Sequence, residues 1–250
     1  MKALILAAGR GTRIRSVHGE RPKCLISIDG TDSTILDQQI GNLFAAGVPE
    51  IGIVVGYEKD QIIHHVRRTY AHCLRRFHFF VNPRYRETNN IYSLWTAREW
   101  VQGDAFVVLN ADVVFDTRAL LHALKSPTPI TMIVDPEWRE ETMKVVAVDG
   151  RIVRMSKGIP REQFSGTYIG ITAFSEDVQA RFLDKVDGMI QTGRVNDFFN
   201  VAVQQLADEG VPVGLASSAG LPWAEIDDPG DLAFAQRHVF PQLTGMAAAA

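Results

Sequence analysis

Cysteine is scarce in this chain: Cys24 and Cys73 are the only two among 250 residues, and they form no CxxC pair. That excludes a disulfide framework and a thiolate metal knuckle, and it fits a reducing, cytoplasmic setting. No apolar run approaches the roughly 20 residues that a membrane-spanning helix needs. The opening "MKALILAAG" starts like a secretion signal, but its apolar run stops at Gly9 and Arg10, so it reads as a first strand. Neither sign of charge is in excess, with 26 basic against 29 acidic residues and a net charge of −3. Such a balance offers no basic face for nucleic acid or an acidic membrane surface. No Pro/Ser-rich linker divides the halves, so one domain over 1–243 is expected, with "GMAAAA" ending in a frayed tail at 244–250.

What is present is a regular alternation. Apolar strand-like runs at 2–7, 51–56, 77–81 and 105–112 are separated by helix-like runs at 34–47, 60–74 and 93–101. Continuous apolar strands between amphipathic helices are what a parallel sheet covered on both faces requires, so the first half reads as an α/β layer structure. Beyond residue 130 the pattern changes to strands at 130–134, 144–148, 151–155, 167–174 and 223–226, with helices near 176–186 and 196–209. Asp149-Gly150 marks a hairpin, whose surface is a candidate homodimer contact, and Pro229 opens a last helix. The expected whole is one mixed sheet in which the second half covers the carboxyl edge of the first.

The stretch "LAAGRGTRIRSVHGERPKCL" (6–25) places five cationic side chains among three glycines directly after the first strand. A loop that flexible and that basic suits an anion held by backbone N–H groups and cationic side chains. Two familiar phosphate patterns are absent. No GxxxxGK[ST] spacing exists, and after Gly9 and Gly11 position 14 is Ile14, where a dinucleotide fingerprint needs a third glycine.

What remains is LxxGxGxR. Leu6, Ala7, Ala8, Gly9, Gly11, Thr12 and Arg13, with Pro22 and Lys23, resemble the L-A-A-G-x-G-[ST]-R…P-K start of the nucleotidyltransferase family, in which the loop wraps a nucleoside triphosphate. "TNNIYSLWTAR" (88–98), "GTYIGI" (166–171) and "WAEIDDPGDL" (223–232) are similar to the branch that transfers cytidylate to phosphocholine or small phosphonates. The resemblance implies a Rossmann-like three-layer α/β fold with a mostly parallel mixed sheet. It implies a cytidylyltransferase using CTP, Mg²⁺ and a small phosphonate or phosphomonoester acceptor such as phosphocholine or 2-aminoethylphosphonate.

That chemistry brings two anions together in line at the α-phosphorus, so the barrier is electrostatic and positional, and no serine nucleophile is needed. Carboxylates to hold a metal and cations to neutralise phosphate are needed. Asp112 follows an apolar strand at its carboxyl end, where open α/β sheets bind ligands. Glu225 and Asp227 flank Ile226, so in extended backbone they share a face. By resemblance Asp112 and Asp227 are the Mg²⁺ pair with Glu225 close behind, and Lys23 and Arg13 are the catalytic cations. The same resemblance gives the nucleotide Leu6 to Arg13, Arg10 included, with Lys23 and Asn110. Gly56 and Tyr57 at a strand end, with Asn89, Asn90 and Ser93, are candidates for the base. Lys144, Lys157, Tyr168, Asp197 and Glu225 are expected at the acceptor. Trp138, Tyr168, Phe198, Phe199 and Trp223 are candidate faces for a quaternary ammonium, and Arg84, Arg86 and Arg161 would suit a more acidic acceptor.

His64 and His65 are adjacent, so on a helix they diverge and read as surface residues rather than metal ligands. "FHFF" (77–80) reads as a buried strand, and Cys24 as a small buried thiol. A sugar-1-phosphate nucleotidyltransferase is the alternative on the same fold. A glycosyltransferase is disfavoured because Asn110-Ala111-Asp112 stands where Asp-x-Asp is expected, and a non-catalytic nucleotide sensor because Lys23, Asp112 and Asp227 are all present.

Overall fold

Side chains of the first strand, β1 (Lys2–Ala7), alternate between two apolar cores, and that alternation organises the molecule. Ala3, Ile5 and Ala7 enter one core, whereas Leu4 and Leu6 enter the other. A strand with both faces buried must lie inside a sheet covered on both sides. The computed structural model describes residues 1–28, 30, 33–218 and 220–247, the side chains of 244–247 excepted. In it β1 pairs in parallel with β2 (Glu50–Val55) and with β4 (Phe106–Asn110), and β2 pairs with β3 (Phe77–Val81).

The second half joins the same sheet. β9 (Gly166–Phe174) runs antiparallel between β4 and β6 (Ile130–Asp135), and β6 is parallel to β10 (Val213–Ser217). The hairpin β7 (Lys144–Val148) and β8 (Arg151–Ser156) closes the far edge. Its turn carries Asp149 at φ 50° and Gly150 at φ 74°, the left-handed pair that a tight two-residue hairpin demands. The nine-stranded order is β3-β2-β1-β4-β9-β6-β10-β8-β7. β5 (Val113–Phe115) and β11 (Trp223–Glu225) pair separately as a two-stranded sheet.

Helices Ile35–Ala45, Lys59–Thr69 and Thr117–Leu124 cover one face with Leu36, Ile40, Ile62, Val66 and Leu120. Helices Asn90–Thr96, Glu176–Gln191 and Asn200–Asp208 cover the other with Ile91, Leu94, Phe182, Val186 and Val203. A third core joins Ile14, Ile26, Val114, Ile226 and Phe240, and so ties the amino-terminal loop to β5, β11 and the carboxyl-terminal helices. The expected α/β layers and mixed sheet are present.

Several local expectations differ. The helix expected over 60–74 stops at Thr69, because Tyr70 leaves helical geometry (φ −112°) and a 3₁₀ turn follows over Ala71–Arg76. The helix expected over 93–101 starts at Asn90, capped by Asn89, and breaks at Ala97. β3 is an edge strand with Phe79 and Phe80 only half-buried, not a buried one. β5, β10 and the helix Thr117–Leu124 were not anticipated. At the carboxyl terminus a helix runs over Phe240–Ala247, into the stretch expected as tail, and 248–250 lie outside the described residues. Among the described residues no helix is long and apolar enough to cross a membrane.

Candidate active site

The carboxyl ends of β1 and β4, with Asn82 just past β3, open onto one cavity of about 300 Å³. Its floor is the loop after β1. Gly11 adopts φ +55°, where a Cβ would be strained, and that Cβ would come within 3.0 Å of Lys23 Cβ. The second glycine of the motif therefore allows both the turn and the approach of Lys23. Just past β2, Gly56 serves packing: a Cβ there would meet Tyr85 Cβ at 2.8 Å and the Ala8 carbonyl at 2.9 Å.

Lys23 is the centre of the charge arrangement. Its Nζ donates to Asp112 Oδ2 and to Asp227 Oδ1, both at 2.8 Å, and the second oxygen of Asp227 is 2.6 Å from Arg13 Nη2. Burial opposes the ammonium charge, yet the Asp112 and Asp227 carboxylates more than offset it and hold the lysine pKa above its ordinary value. Burial likewise raises Asp227, but Lys23 and then Arg13 pull it below the usual carboxylate range. Glu225 behaves oppositely. Burial first, then repulsion from Asp112 and Asp227, pushes its carboxyl up to about 8.

The backbone explains why these groups meet. Ile226 is fully buried, so Glu225 and Asp227 on either side of it turn to the cavity. Glu225 pairs with Val113 in the β5–β11 ladder, and the Ile226 N–H donates to the Asp112 carbonyl at 2.9 Å. Asp228, not Asp227, caps the following helix with Pro229 at its first turn, which leaves the Asp227 carboxylate to Lys23 and Arg13.

Ligand atoms of Asp112, Glu225 and Asp227 lie within 4.8 Å of one another, and among the described residues they are the acidic group so disposed. Asp112 Oδ1 is buried with no hydrogen-bond partner. An orphaned carboxylate oxygen is costly unless something fills its coordination, and an all-oxygen donor set suits a hard divalent cation. The residues fit such an ion.

The cavity brings together many of the expected residues. Leu6, Ala7, Ala8, Gly9, Gly11, Arg13, Lys23, Asn89, Ser93, Asn110, Asp112, Lys157, Glu225 and Asp227 all line it. A smaller cavity of about 70 Å³ adjoins it and adds Tyr168, Glu141, Thr142 and Asn200. The two share Asn90, Asn110, Lys157, Phe198, Glu225 and Asp227. Tyr168 is buried, with its hydroxyl 2.8 Å from Thr172 Oγ1, and burial raises its pKa.

Other expected residues lie elsewhere. Arg10 and Thr12 do not line either cavity. Tyr57 donates its N–H to the Ala8 carbonyl and its hydroxyl to Glu20, so it braces the loop from behind. Lys144 is 1% exposed, and its ammonium is spent on three backbone carbonyls, those of Glu140, Thr142 and Lys157. No proton is left to offer an acceptor. Asp197 lines neither cavity and pairs with Arg194 at 2.7 Å. Phe199 is core, and two of the other candidate aromatic faces are already covered: Lys144 lies 4.7 Å from the Trp138 ring and Arg139 4.1 Å from that of Trp223. Arg84, Arg86 and Arg161 line neither cavity. His65 is not a surface residue, for its Nε2 lies 2.9 Å from Asp37 Oδ1, whereas His64 is exposed. Cys24 is the buried thiol expected, pushed up by that burial to about 12.

Asn82, Tyr85, Thr88, Glu141, Thr142 and Asn200 were not foreseen. Asn82 is 1% exposed and donates to Thr88 Oγ1 and Ser93 Oγ, both at 3.1 Å, so it shapes the wall that Ser93 presents. Its position just past β3, at the same carboxyl edge as Asp112, is the signal that could have found it.

Comparison with known proteins adds a family. Residues 3–163 match the model of the MobA-like NTP transferase domain. The chain is 29% identical over 243 residues to CMP-5'-(3-aminopropyl)phosphonate synthase of Streptomyces rubellomurinus, covering 92% of this chain but 37% of that protein. It is 30% identical over 236 residues to 2-aminoethylphosphonate cytidylyltransferase of Lancefieldella rimae, covering 92% of this chain and 90% of that one. The fold is similar to that of the CTP:phosphocholine cytidylyltransferase of Streptococcus pneumoniae, with a TM-score of 0.74, 22% identity and coverage of 94% and 97% of the two chains.

Proposed function

The chain belongs to the family of MobA-like NTP transferase domains and is a nucleotidyltransferase, and we propose that it moves CMP from CTP onto a small aminoalkylphosphonate, releasing pyrophosphate. The observation that carries this reading is the boundary between the two cavities, where Lys157, Glu225 and Asp227 face both while Lys23 and Asp112 face the larger. A triphosphate in the glycine-lined cavity and an acceptor anion in the smaller one would converge there.

In the transfer an acceptor oxygen forms a bond to the α-phosphorus as the bond from that phosphorus to the β-bridging oxygen breaks, and the electron pair leaves with pyrophosphate. The acceptor oxygen is already ionised, so the chain need supply only position and charge. Lys23 and Arg13 would neutralise the triphosphate from the loop side, and Lys157 the acceptor anion from the other. Asp112 and Asp227, with Glu225 behind them, would hold Mg²⁺, which when bound adds positive charge and Lewis acidity at the phosphates. Backbone of residues 8–11 would cradle the phosphates, and Asn89 and Ser93 would meet the base.

The names of the relatives, which couple CMP or CTP to phosphonates, support the nucleotide and acceptor class. Two details support a primary amine over a quaternary ammonium. The Trp138 and Trp223 faces are covered by the chain's own cations, and the small cavity presents the Glu141 and Glu225 carboxylates and the Asn200 amide, partners for an N–H donor. Pyrophosphate release, followed for CTP, UTP, ATP and GTP against 2-aminoethylphosphonate, 3-aminopropylphosphonate, phosphocholine and sugar 1-phosphates, tests it. Turnover of CTP with an aminoalkylphosphonate is expected, and Asp112→Ala should abolish it. Turnover confined to a sugar 1-phosphate, or undiminished by Asp112→Ala, overturns the reading.

A further inference from the structure

β4 ends at Asn110, and after a two-residue turn, Ala111-Asp112, the chain re-enters regular structure as β5, in a different sheet. In this turn the Asp112 carbonyl accepts from the Ile226 N–H, and the turn carries the carboxylate on which the proposed function rests. Gln39, on the helix Ile35–Ala45, adds a restraint at the two ends of the turn. Its side-chain Nε2 donates to the Asn110 carbonyl and to the Val113 carbonyl, both at 2.8 Å, and the residue is fully buried. The two carbonyls bracket the turn, so one amide group holds both ends of it.

The local chemistry points the same way. Gln39 Oε1 is buried with no hydrogen-bond partner. An orphaned carbonyl in a core is a standing cost that an apolar residue of similar shape would avoid, so its presence needs a reason on the donor side of the amide. Neighbouring amides grip the same segment farther on: Gln38 Nε2 and Asn42 Nδ2 donate to the Phe115 carbonyl at 2.6 and 2.7 Å. These fix β5 beyond the turn. Of these three amides, that of Gln39 is the one whose bonds straddle Asp112, and through the Asp112 carbonyl and the β5–β11 ladder the same restraint reaches Glu225 and Asp227.

We infer that Gln39 is a positioning residue of the nucleotidyl-transfer site, an amide clamp that sets the Asp112 carboxylate for the metal. The inference rests on the proposed role of Asp112. Gln39→Leu keeps the volume and removes both donors, and Gln39→Asn keeps an amide one methylene too short to reach both carbonyls. Asn42→Leu is the control, removing a bond to the same segment outside the turn. Two quantities are read besides melting temperature: the separation of kcat from KM for CTP, and the dissociation constant of Mn²⁺ from the enzyme–CTP complex without acceptor, followed by water-proton relaxation.

Displacing a reacting group by about 1 Å can cost on the order of 100-fold, so kcat of Gln39→Leu should fall about 10- to 100-fold with KM for CTP little changed. Mn²⁺ affinity should fall by about tenfold, the scale seen when groups that orient metal ligands are lost, with Gln39→Asn intermediate. Asn42→Leu should lose thermal stability and keep both quantities within about twofold. Either Gln39 variant with wild-type kcat and Mn²⁺ affinity overturns the inference, and so does an Asn42→Leu loss of Mn²⁺ affinity equal to that of Gln39→Leu. A wild-type enzyme–CTP complex that takes up no Mn²⁺ overturns the metal reading itself, and with it the clamp.

Discussion

Replacing Lys23 by methionine removes one charge from the middle of three carboxylates while nearly preserving the shape of the side chain. With the ammonium gone, Asp112, Glu225 and Asp227 face one another within 4.8 Å. At that separation and an effective dielectric of about 20, each pair of charges repels by about 3.5 kcal/mol. Protonation of Glu225, already raised to about 8, relieves the pairs that include it, so the net cost is that of one unpartnered Asp112–Asp227 pair. That places the loss near 3 kcal/mol, in line with breaking a buried ion pair by removing one partner. For a chain of this length, such a loss lowers the melting temperature by roughly 6–12 °C. Saturating Mg²⁺ should restore more of that loss in the variant than it adds to the wild type, because a divalent cation substitutes for the missing charge. Turnover should not recover: losing a preorganised cation at a phosphoryl centre costs about 100-fold or more in kcat. Differential scanning fluorimetry with and without Mg²⁺, beside pyrophosphate release, measures both. A Lys23→Met enzyme with kcat within threefold of wild type would refute the reasoning, as would one whose stability ignores Mg²⁺.

Gly11→Ala meets both a left-handed φ of +55° and a 3.0 Å approach to Lys23 Cβ, so it should cost about 1–2 kcal/mol by the strain alone and lower kcat/KM for CTP; equal stability and activity would remove Gly11 from the loop's function. Lys144→Met should loosen the loops at 140–142 and 157 that face the small cavity, raising KM for the acceptor while leaving KM for CTP near wild type, as a steady-state matrix over both substrates would reveal. Asp37 is raised by burial but lowered further by hydrogen bonds from His65 and Thr34, giving a folded pKa below its ordinary value. Its stabilisation is therefore complete above the unfolded value of about 3.9 and is lost as pH falls through the folded one; Asp37→Asn should be about 1–3 kcal/mol less stable at pH 7 and show a flatter acid limb in urea titrations between pH 5 and pH 3.

The sequence disclosed most where the candidate site sits in contiguous backbone. The loop motif, the strand before it and the Glu225–Ile226–Asp227 alternation are local patterns, and each is read from neighbours along the chain. What escaped is set by contacts far apart in sequence. β5 is three residues long and exists because β11 pairs with it, more than a hundred residues later. Lys144 looks like any other lysine until three carbonyls from two loops close on it, and Asp197 like an acceptor ligand until Arg194 takes its carboxylate. His65 appeared exposed because its partner, Asp37, lies on another helix. Gln39 carried no motif at all: a buried glutamine in an amphipathic helix reads as an interruption of the apolar face, and its meaning lies in two carbonyls about seventy residues away.

The central claim is that the triphosphate lies in the glycine-lined cavity with its metal on Asp112 and Asp227. A crystal structure with CTP and Mn²⁺, with the anomalous signal of manganese located, tests it most directly. The account predicts an anomalous peak between those two carboxylates, phosphates against residues 8–11 and Lys23, and the cytosine toward Asn89 and Ser93. Manganese at a different carboxylate set, or a triphosphate bound away from the loop after β1, would contradict it.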